Sequence, residues 1–224
     1  MKTIMGIHSL ENLNHKLKNG YTMHDWVKRQ RGYPHFCLRA LTGEDELTET
    51  EVAFLHDRKC KIGLLLCDLT EVQVSSRRDK GVAEKAVQAA KKLGVPQNAG
   101  IAIFAEIKPE WSVNHNWMLS FANHLIANGY IPGFIGNTDS SKNFVFDRET
   151  SHYVQATMDT SGYNAVYGAT EPKCDGFPLE WAPFCPSALN PDEMSLWVCG
   201  TTTFDAEQVE IAYARDEQVL ERFW

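Results

Sequence analysis

Residues 100–107 read Gly-Ile-Ala-Ile-Phe-Ala-Glu-Ile, an almost wholly apolar run with one carboxylate near its end. Runs that are apolar at nearly every position, and not only at alternate ones, are typical of parallel strands covered on both faces. Seven further runs of this kind follow the same pattern, at residues 3–8, 36–41, 61–68, 130–137, 165–169, 195–200 and 209–213. The sequence therefore predicts eight parallel strands.

Amphipathic segments separate these runs and predict helices. The clearest start is Thr48-Glu49-Thr50-Glu51, where the threonine caps the helix and the glutamate three residues later completes a capping box. Further helix patterns cover residues 76–93, 112–128, 149–158 and 216–223. Gly94 and Gly129 follow two of them directly, as expected for residues that end helices.

Repeated strand–helix alternation predicts a single (β/α)8 TIM-like barrel over residues 1–224, a single domain. The region 170–192 contains five prolines and no helix pattern, so the helix after strand six is expected to be degenerate or replaced by a Pro-rich loop. The alternative fold is a doubly wound open sheet. That fold favours a glycine-rich phosphate-binding turn after the first strand, which residues 6–10 do not provide.

Composition excludes several classes of protein. Hydrophobic residues make up 43% and charged residues 23%, which is typical of a globular chain and not of a disordered or fibrous one. The net charge of −7 argues against binding to nucleic acid or to an anionic membrane. No apolar run approaches the ~20 residues that span a bilayer. The opening residues lack a signal-peptide pattern, which favours the cytoplasm, with export by a non-classical or phage route as the alternative. We expect a monomer.

Cysteine and histidine spacing gives no metal or cofactor signature. The six cysteines form no C-x-x-C pair, and three fall inside apolar runs, so buried thiols are expected. A Cys174–Cys185 bridge across the Pro-rich loop is the alternative. The eight histidines are scattered and include no H-E-x-x-H pattern. The sequence therefore predicts neither a metal site nor a cofactor.

Charged residues stand where functional groups of a barrel are found, at the carboxyl ends of the strands. Asp68, Glu106 and Glu210 are the carboxylates of interest at that edge. Glu106 is the strongest candidate, because a carboxylate ending an apolar run is either paired or has a raised pKa, as a general acid requires. The structural alternative is an ion pair between Glu106 and Arg39 that closes the mouth of the barrel.

Several segments, in this order, resemble a family of bacterial glycoside-hydrolase-like TIM barrels of unknown function, itself similar to the family 25 lysozymes that cleave peptidoglycan. They include Gly6-Ile7-His8-Ser9 and Ala102-Ile103-Phe104-Ala105-Glu106. The others lie at residues 38–40, 47–56, 86–96, 129–136, 180–182, 196–200 and 209–214. The resemblance covers nearly the whole chain.

The resemblance implies roles for individual residues. Glu106 corresponds to the family's acid on strand four, and Arg39 to its arginine on strand two. Glu210 corresponds to a late acid on strand eight, where aspartate is usual. Two departures stand out, since His8 replaces an acid at the end of strand one and Phe104 replaces an aspartate two residues before Glu106. Both substitutions reduce the negative charge available to stabilise an oxocarbenium ion.

Three functional hypotheses follow. The first is a glycosidase acting on peptidoglycan or a related polysaccharide, with Glu106 protonating the leaving oxygen and Glu210 or Asp68 as nucleophile, base or stabiliser. Its predicted substrate-binding residues are His8, Arg39, Asn137, Glu180, Trp181, Trp197 and Tyr213. Trp197 also fits a core position. The second is a catalytically impaired glycan-binding or scaffold barrel, which His8 and Phe104 favour. The third is a different enzyme that uses His8 as base.

Overall fold

The computed structural model describes residues 3–77, 80–158, 165–171, 180–204 and 207–224. Its strands close into a barrel in chain order. They are β1 (Ile4–His8), β2 (Phe36–Ala40), β3 (Lys61–Leu66), β4 (Ala102–Ile107), β5 (Ile131–Gly136), β6 (Val166–Glu171), β7 (Met194–Phe204) and β8 (Glu207–Ala214). The predicted barrel of eight strands is confirmed.

Helices cover the outside of the barrel. They are α1 (Met23–Arg31), α2 (Glu49–Asp57), α3 (Glu71–Ser75), α4 (Gly81–Leu93), α5 (His115–Ala127), α6 (Val145–Thr157) and α7 (Glu217–Leu220). The pattern predicted over residues 76–93 yields α4 from Gly81 onward, preceded by the separate short helix α3. Helix α1 was not predicted, although Thr22 caps it by accepting a hydrogen bond from the amide of Asp25.

The last strand departs from the prediction of eight parallel strands. Strands β1 to β7 run parallel, whereas β8 is antiparallel to both β7 and β1. Phe204 pairs with Glu207, so only two residues connect β7 to β8. A parallel return needs a crossover of about a dozen residues or more, and a connection this short allows only an antiparallel pair.

Large side chains and glycines interlock inside the barrel. Phe36, Leu38, Phe104 and Ile135 are fully buried in the interior cluster. A Cβ atom would overlap the Phe36 ring at Gly6, Leu38 at Gly63, the Phe104 ring at Gly133, and Ile135 at Gly168. The interior is thus filled by large residues of one strand that occupy the space left by glycines of a neighbouring strand. This layer forms a closed apolar floor beneath the carboxyl-end rim.

In the region 170–192, Thr170 and Glu171 end β6, and the described residues after the gap agree with the predicted loop. Residues 180–190 form neither helix nor strand, and one 3-10 turn, Pro191–Glu193, leads into β7. Among the described helices, none has the length and apolar character needed to cross a membrane.

The prediction that the cysteines are buried thiols is confirmed only in part. Cys37 and Cys60 are buried free thiols, and Cys67 and Cys185 are partly buried free thiols. The alternative of a Cys174–Cys185 bridge is therefore wrong; Cys174 lies outside the described residues. Cys199 is disulfide-bonded, contrary to the expectation of a buried thiol.

We predict that Gly133→Ala destabilises the fold by about 1–3 kcal/mol, because the new methyl group must displace the buried Phe104 ring. Urea unfolding followed by circular dichroism measures the change. Gly81→Ala, an equal addition at the exposed start of α4, is the control and should be neutral or slightly stabilising. Equal stabilities for the two variants would contradict the interlocking interior.

Candidate functional site

His8, Glu106 and Glu210 meet at the carboxyl end of the barrel. His8 ends β1, Glu106 lies near the end of β4, and the antiparallel register sets Glu210 of β8 directly opposite His8. The Nδ1 atom of His8 lies 2.5 Å from Oε2 of Glu210, and its Nε2 atom lies 3.9 Å from Oε2 of Glu106. One imidazole ring therefore stands between two carboxylates that come from different strands.

The surroundings of His8 favour its charged form. Burial lowers the pKa of the imidazole, but the hydrogen bond with Glu210 and the charges of Glu106 and Glu210 outweigh burial and raise the pKa overall. The bond to a carboxylate assigns a proton to Nδ1. The buried Nε2 atom has no hydrogen-bond partner, because 3.9 Å is beyond hydrogen-bonding distance from Glu106.

Cys67 lies beside this group, one residue beyond the end of β3. A ring nitrogen of His8, the Cys67 sulfur and an oxygen of Glu106 all lie within 4.8 Å of one another. Burial, together with the nearby Glu106 carboxylate, raises the pKa of the thiol. The sequence offered no histidine near Cys67, since 59 positions separate the two residues. Only the closure of the barrel brings them together.

A cleft of about 180 Å³ opens over the two carboxylates, and we call it the acidic cleft. Glu106, Glu171 and Glu210 line it, together with Lys108 and Thr170. Burial raises the pKa of Glu171, although its carboxylate accepts a hydrogen bond from the amide of Phe184. The cleft is smaller than the ~300–1,000 Å³ typical of ligand pockets, so its described walls enclose only part of a polymer.

Arg39 lies away from the acidic cleft, against the helical layer. Its side chain is fully buried, and its guanidinium donates to both carboxylate oxygens of the buried Glu51 on α2. The guanidinium also donates to the backbone carbonyls of Ser9 and Leu10 just after β1. The alternative ion pair between Arg39 and Glu106 is therefore wrong. Direct contact of Arg39 with a sugar is incompatible with its complete burial.

Glu51 has a structural role that differs from the capping-box role predicted from the sequence. Thr48 accepts a hydrogen bond from the backbone amide of Glu51, as predicted for a helix cap. The Glu51 carboxylate, expected to complete the capping box, instead receives bonds from Arg39 and from the amide of Leu13. A buried arginine on the adjacent strand competes for this carboxylate, and no local sequence pattern reveals that arginine.

Asp68 and Asn137 stand at the rim but have other partners. Asp68 accepts hydrogen bonds from Thr42 and from Lys85 of α4. Burial raises the pKa of Asp68, and these bonds outweigh burial and lower it overall. Asn137 is buried just beyond β5, where its side-chain oxygen accepts from the amide of Asp139.

Two of the three predicted sugar-binding aromatic residues, Trp197 and Tyr213, are buried. Trp181 is half-buried, donates to the carbonyl of Pro191, and packs edge-on against the buried Trp197. Tyr213 is buried and pairs with Met5, three residues before His8, because β8 runs antiparallel. Glu180 is exposed at the start of the described part of the loop. Of these residues, Glu180 and Trp181 offer surface to a ligand.

Solved structures of low sequence identity share this fold. An uncharacterized protein of B. stearothermophilus matches with a TM-score of 0.79 and 21% identity, over 99% of this chain and 100% of its own. The muramidase from Acremonium alcalophilum matches with a TM-score of 0.59 and 8% identity, over 97% of each chain. The CTP1L endolysin matches with a TM-score of 0.58 and 11% identity, over 96% of this chain and 67% of its own. No protein-family model and no curated protein matches the chain. These likenesses establish the fold.

We predict that Arg39→Met destabilises the protein by about 3–5 kcal/mol, because it leaves the Glu51 carboxylate buried without its cation. Chemical unfolding measures the loss, and the double variant Arg39→Met/Glu51→Leu should recover part of it. Arg29→Met, at an exposed arginine, serves as the control and should change stability by less than about 1 kcal/mol. If Arg39→Met alone is as stable as the control, the Arg39–Glu51 ion pair does not contribute to stability.

The raised pKa of His8 predicts a pH-dependent contribution to stability. The contribution is fully present below the unfolded pKa of about 6.5 and is lost as pH rises through the raised folded value. The stability difference between the wild type and His8→Gln should therefore shrink as pH increases above about 6.5. The free energy of unfolding of both proteins, measured at several pH values above about 6.5, tests this prediction. The contributions of the other histidines are the same in both proteins and cancel in the difference. A difference independent of pH would refute the assignment.

Proposed function

We propose that this protein is a glycoside hydrolase that cleaves a polysaccharide, peptidoglycan or a related polymer, by carboxylate acid/base catalysis. The observation that carries the proposal is the placement of Glu106 and Glu210 on either side of His8, in a cleft at the carboxyl end of the barrel. A muramidase and an endolysin have the same fold, which supports a cell-wall glycan as the substrate class. Fold likeness alone does not assign an activity, so the proposal depends on the positions of Glu106 and Glu210.

In this mechanism Glu106 is the general acid. Its proton passes to the glycosidic oxygen as the bond from that oxygen to the anomeric carbon breaks. Glu210, oriented by its hydrogen bond to His8, takes a proton from the water that attacks the anomeric carbon. In glycosidases a separation of about 5–5.5 Å between the two carboxyl groups goes with retention of configuration, and about 6.5–9.5 Å with inversion.

Other predicted residues contribute in different ways. Glu180 and Trp181 supply exposed surface next to β7 and are the proposed contacts for more distant sugar units. Glu171 has a raised pKa and lies in the acidic cleft, so it is a second candidate acid. Asp68 is held by Lys85 and Thr42, which makes it a weaker candidate than Glu210 for the second carboxylate.

A second candidate function is glycan binding without cleavage. A protonated His8 between Glu106 and Glu210 cancels part of the negative charge that would stabilise an oxocarbenium ion. Phe104 replaces a family carboxylate and is fully buried in the barrel interior, where it cannot contribute charge. These two positions favour a barrel that holds a glycan and leaves it intact.

Release of soluble fragments from purified peptidoglycan, read by mass spectrometry, tests the proposal. We expect release by the wild type and a loss of about 10²–10⁴-fold in Glu106→Gln, because the amide cannot donate the proton. Glu210→Gln should also lose activity. Glu49→Gln, at an exposed glutamate of α2, is the matched control and should behave as the wild type. The anomeric configuration of the first product, followed by NMR, distinguishes inversion from retention and so assigns Glu210 as base or as nucleophile.

Two results would contradict the proposal. A folded Glu106→Gln variant with full activity would remove Glu106 from the mechanism and move the acid role to Glu171. Absence of fragment release from the wild type, with retained binding to insoluble peptidoglycan, would favour the binding barrel. Thermal unfolding of each variant separates loss of function from loss of fold.

A further inference from the structure

We propose that His8, Cys67 and Glu106 form a binding site for a divalent transition metal, Zn²⁺ above all. The site lies at the carboxyl end of the barrel and shares Glu106 with the proposed catalytic pair. A bound metal would engage Glu106 and so inhibit glycan cleavage. The binding site stands on its own observations, and only this inhibition rests on the proposed function.

The first observation is the geometry of three donors on three strands. The ring nitrogen, the sulfur and the carboxylate oxygen lie within 4.8 Å of one another, with 3.9 Å between Nε2 of His8 and Oε2 of Glu106. Zinc bonds of ~2.0–2.3 Å place tetrahedral ligand atoms roughly 3.4–3.8 Å apart. The donors need to approach by about 1–1.4 Å at most to meet that geometry. Glu106, whose side chain is 24% exposed, has room to make this adjustment.

The second and independent observation is the unpartnered nitrogen of His8. The residue is 6% exposed, and its Nε2 atom is buried without a hydrogen-bond partner. A buried polar atom without a partner is costly, and most such atoms in proteins are satisfied. A metal ion in the space beside Cys67 and Glu106 would displace to solvent the proton that Nε2 carries in the charged imidazole, and would then satisfy this nitrogen.

The partner of the other ring nitrogen matches that of a metal-bound histidine. Histidine ligands usually donate their second N–H to a carboxylate, which fixes the tautomer and leaves the first nitrogen free to bind the metal. Glu210 provides that carboxylate at 2.5 Å from Nδ1. Glu210 is thus a positioning residue for the metal site, in addition to its role in the proposed hydrolysis.

The donor set selects the class of metal. A thiolate and a neutral imidazole favour Zn²⁺ and similar transition metals over Mg²⁺ and Ca²⁺, which prefer oxygen ligands. A thiolate, a carboxylate and a neutral imidazole together balance the charge of a divalent ion. The ion would also lower the pKa of the Cys67 thiol, which burial and Glu106 otherwise raise. Three protein ligands leave a fourth position for water or another ligand.

A second cluster of possible ligands is less suited and provides a comparison. His115, Glu149 and His152 lie together where α5 begins and α6 passes. Glu149 already accepts hydrogen bonds from His115 and from Arg148, and His152 is 46% exposed in its side chain. This cluster contains no sulfur, so a spectroscopic signal from a thiolate distinguishes the two sites.

The test is a titration of the full chain with Co²⁺, a spectroscopic substitute for Zn²⁺. We expect a near-ultraviolet thiolate-to-cobalt charge-transfer band that saturates at one ion per chain and disappears when Zn²⁺ is added. Cys67→Ser should abolish the band. Cys185→Ser removes the other partly buried free thiol and is the matched control, which should leave the band unchanged. Glu210→Gln should weaken binding by about 10–100-fold, as loss of a carboxylate behind a histidine ligand does.

Each result decides the proposal. No band in the wild type, a band that survives in Cys67→Ser, or a band lost in Cys185→Ser would overturn it. Circular dichroism of the Cys67→Ser variant confirms that loss of the band does not reflect unfolding. The titration requires no turnover, so it stands even if the protein cleaves no glycan. Inhibition of fragment release by Zn²⁺, reversed by a chelator and absent in Cys67→Ser, would establish the link between the two functions.

Discussion

The antiparallel pairing of β8 with β1 is the constraint on which the candidate site depends. Its register sets Glu210 opposite His8 and Ala212 opposite Gly6, so that the carboxylate and the imidazole face the same side of the sheet. A slip of one residue would turn Glu210 to the outer face, because side chains alternate along a strand. The two-residue connection between β7 and β8 enforces this direction. The acidic cleft therefore results from how the barrel closes.

Two buried charged side chains of this barrel, Arg39 and His8, differ in how many of their polar atoms have hydrogen-bond partners. The Arg39 guanidinium has Glu51 and several backbone carbonyls as partners, and the pair is completely buried. His8 has one hydrogen-bond partner in Glu210, and its second nitrogen lies 3.9 Å from Glu106 without a hydrogen bond. The first arrangement ties the segment after β1 to α2 and has no capacity for a ligand. The second leaves a buried ring nitrogen without a hydrogen bond near the acidic cleft. Polar groups that lack a hydrogen-bond partner are expected at functional sites.

The two departures from the glycosidase-like pattern have different physical meanings. Phe104 fills the space above Gly133 and belongs to the apolar floor, so its substitution concerns packing. His8 lies in the cluster of ionisable groups and changes its charge and its ligand chemistry. The same replacement that weakens the case for an oxocarbenium-stabilising cluster supplies the nitrogen on which the proposed metal site depends. Both consequences follow from placing an imidazole between two carboxylates.

Sequence patterns alone predict the eight strands, most of the helices, the irregular segment 180–190 before β7 and the choice of Glu106 as a rim carboxylate. These features depend on local hydrophobic periodicity and on the topology of strand–helix repeats. Tertiary contacts set the direction of β8, the pairing of Arg39 with Glu51, the burial of Tyr213, and the contact of His8 with Cys67. Those features depend on register and on contacts between residues distant along the chain, which single-sequence periodicity does not encode.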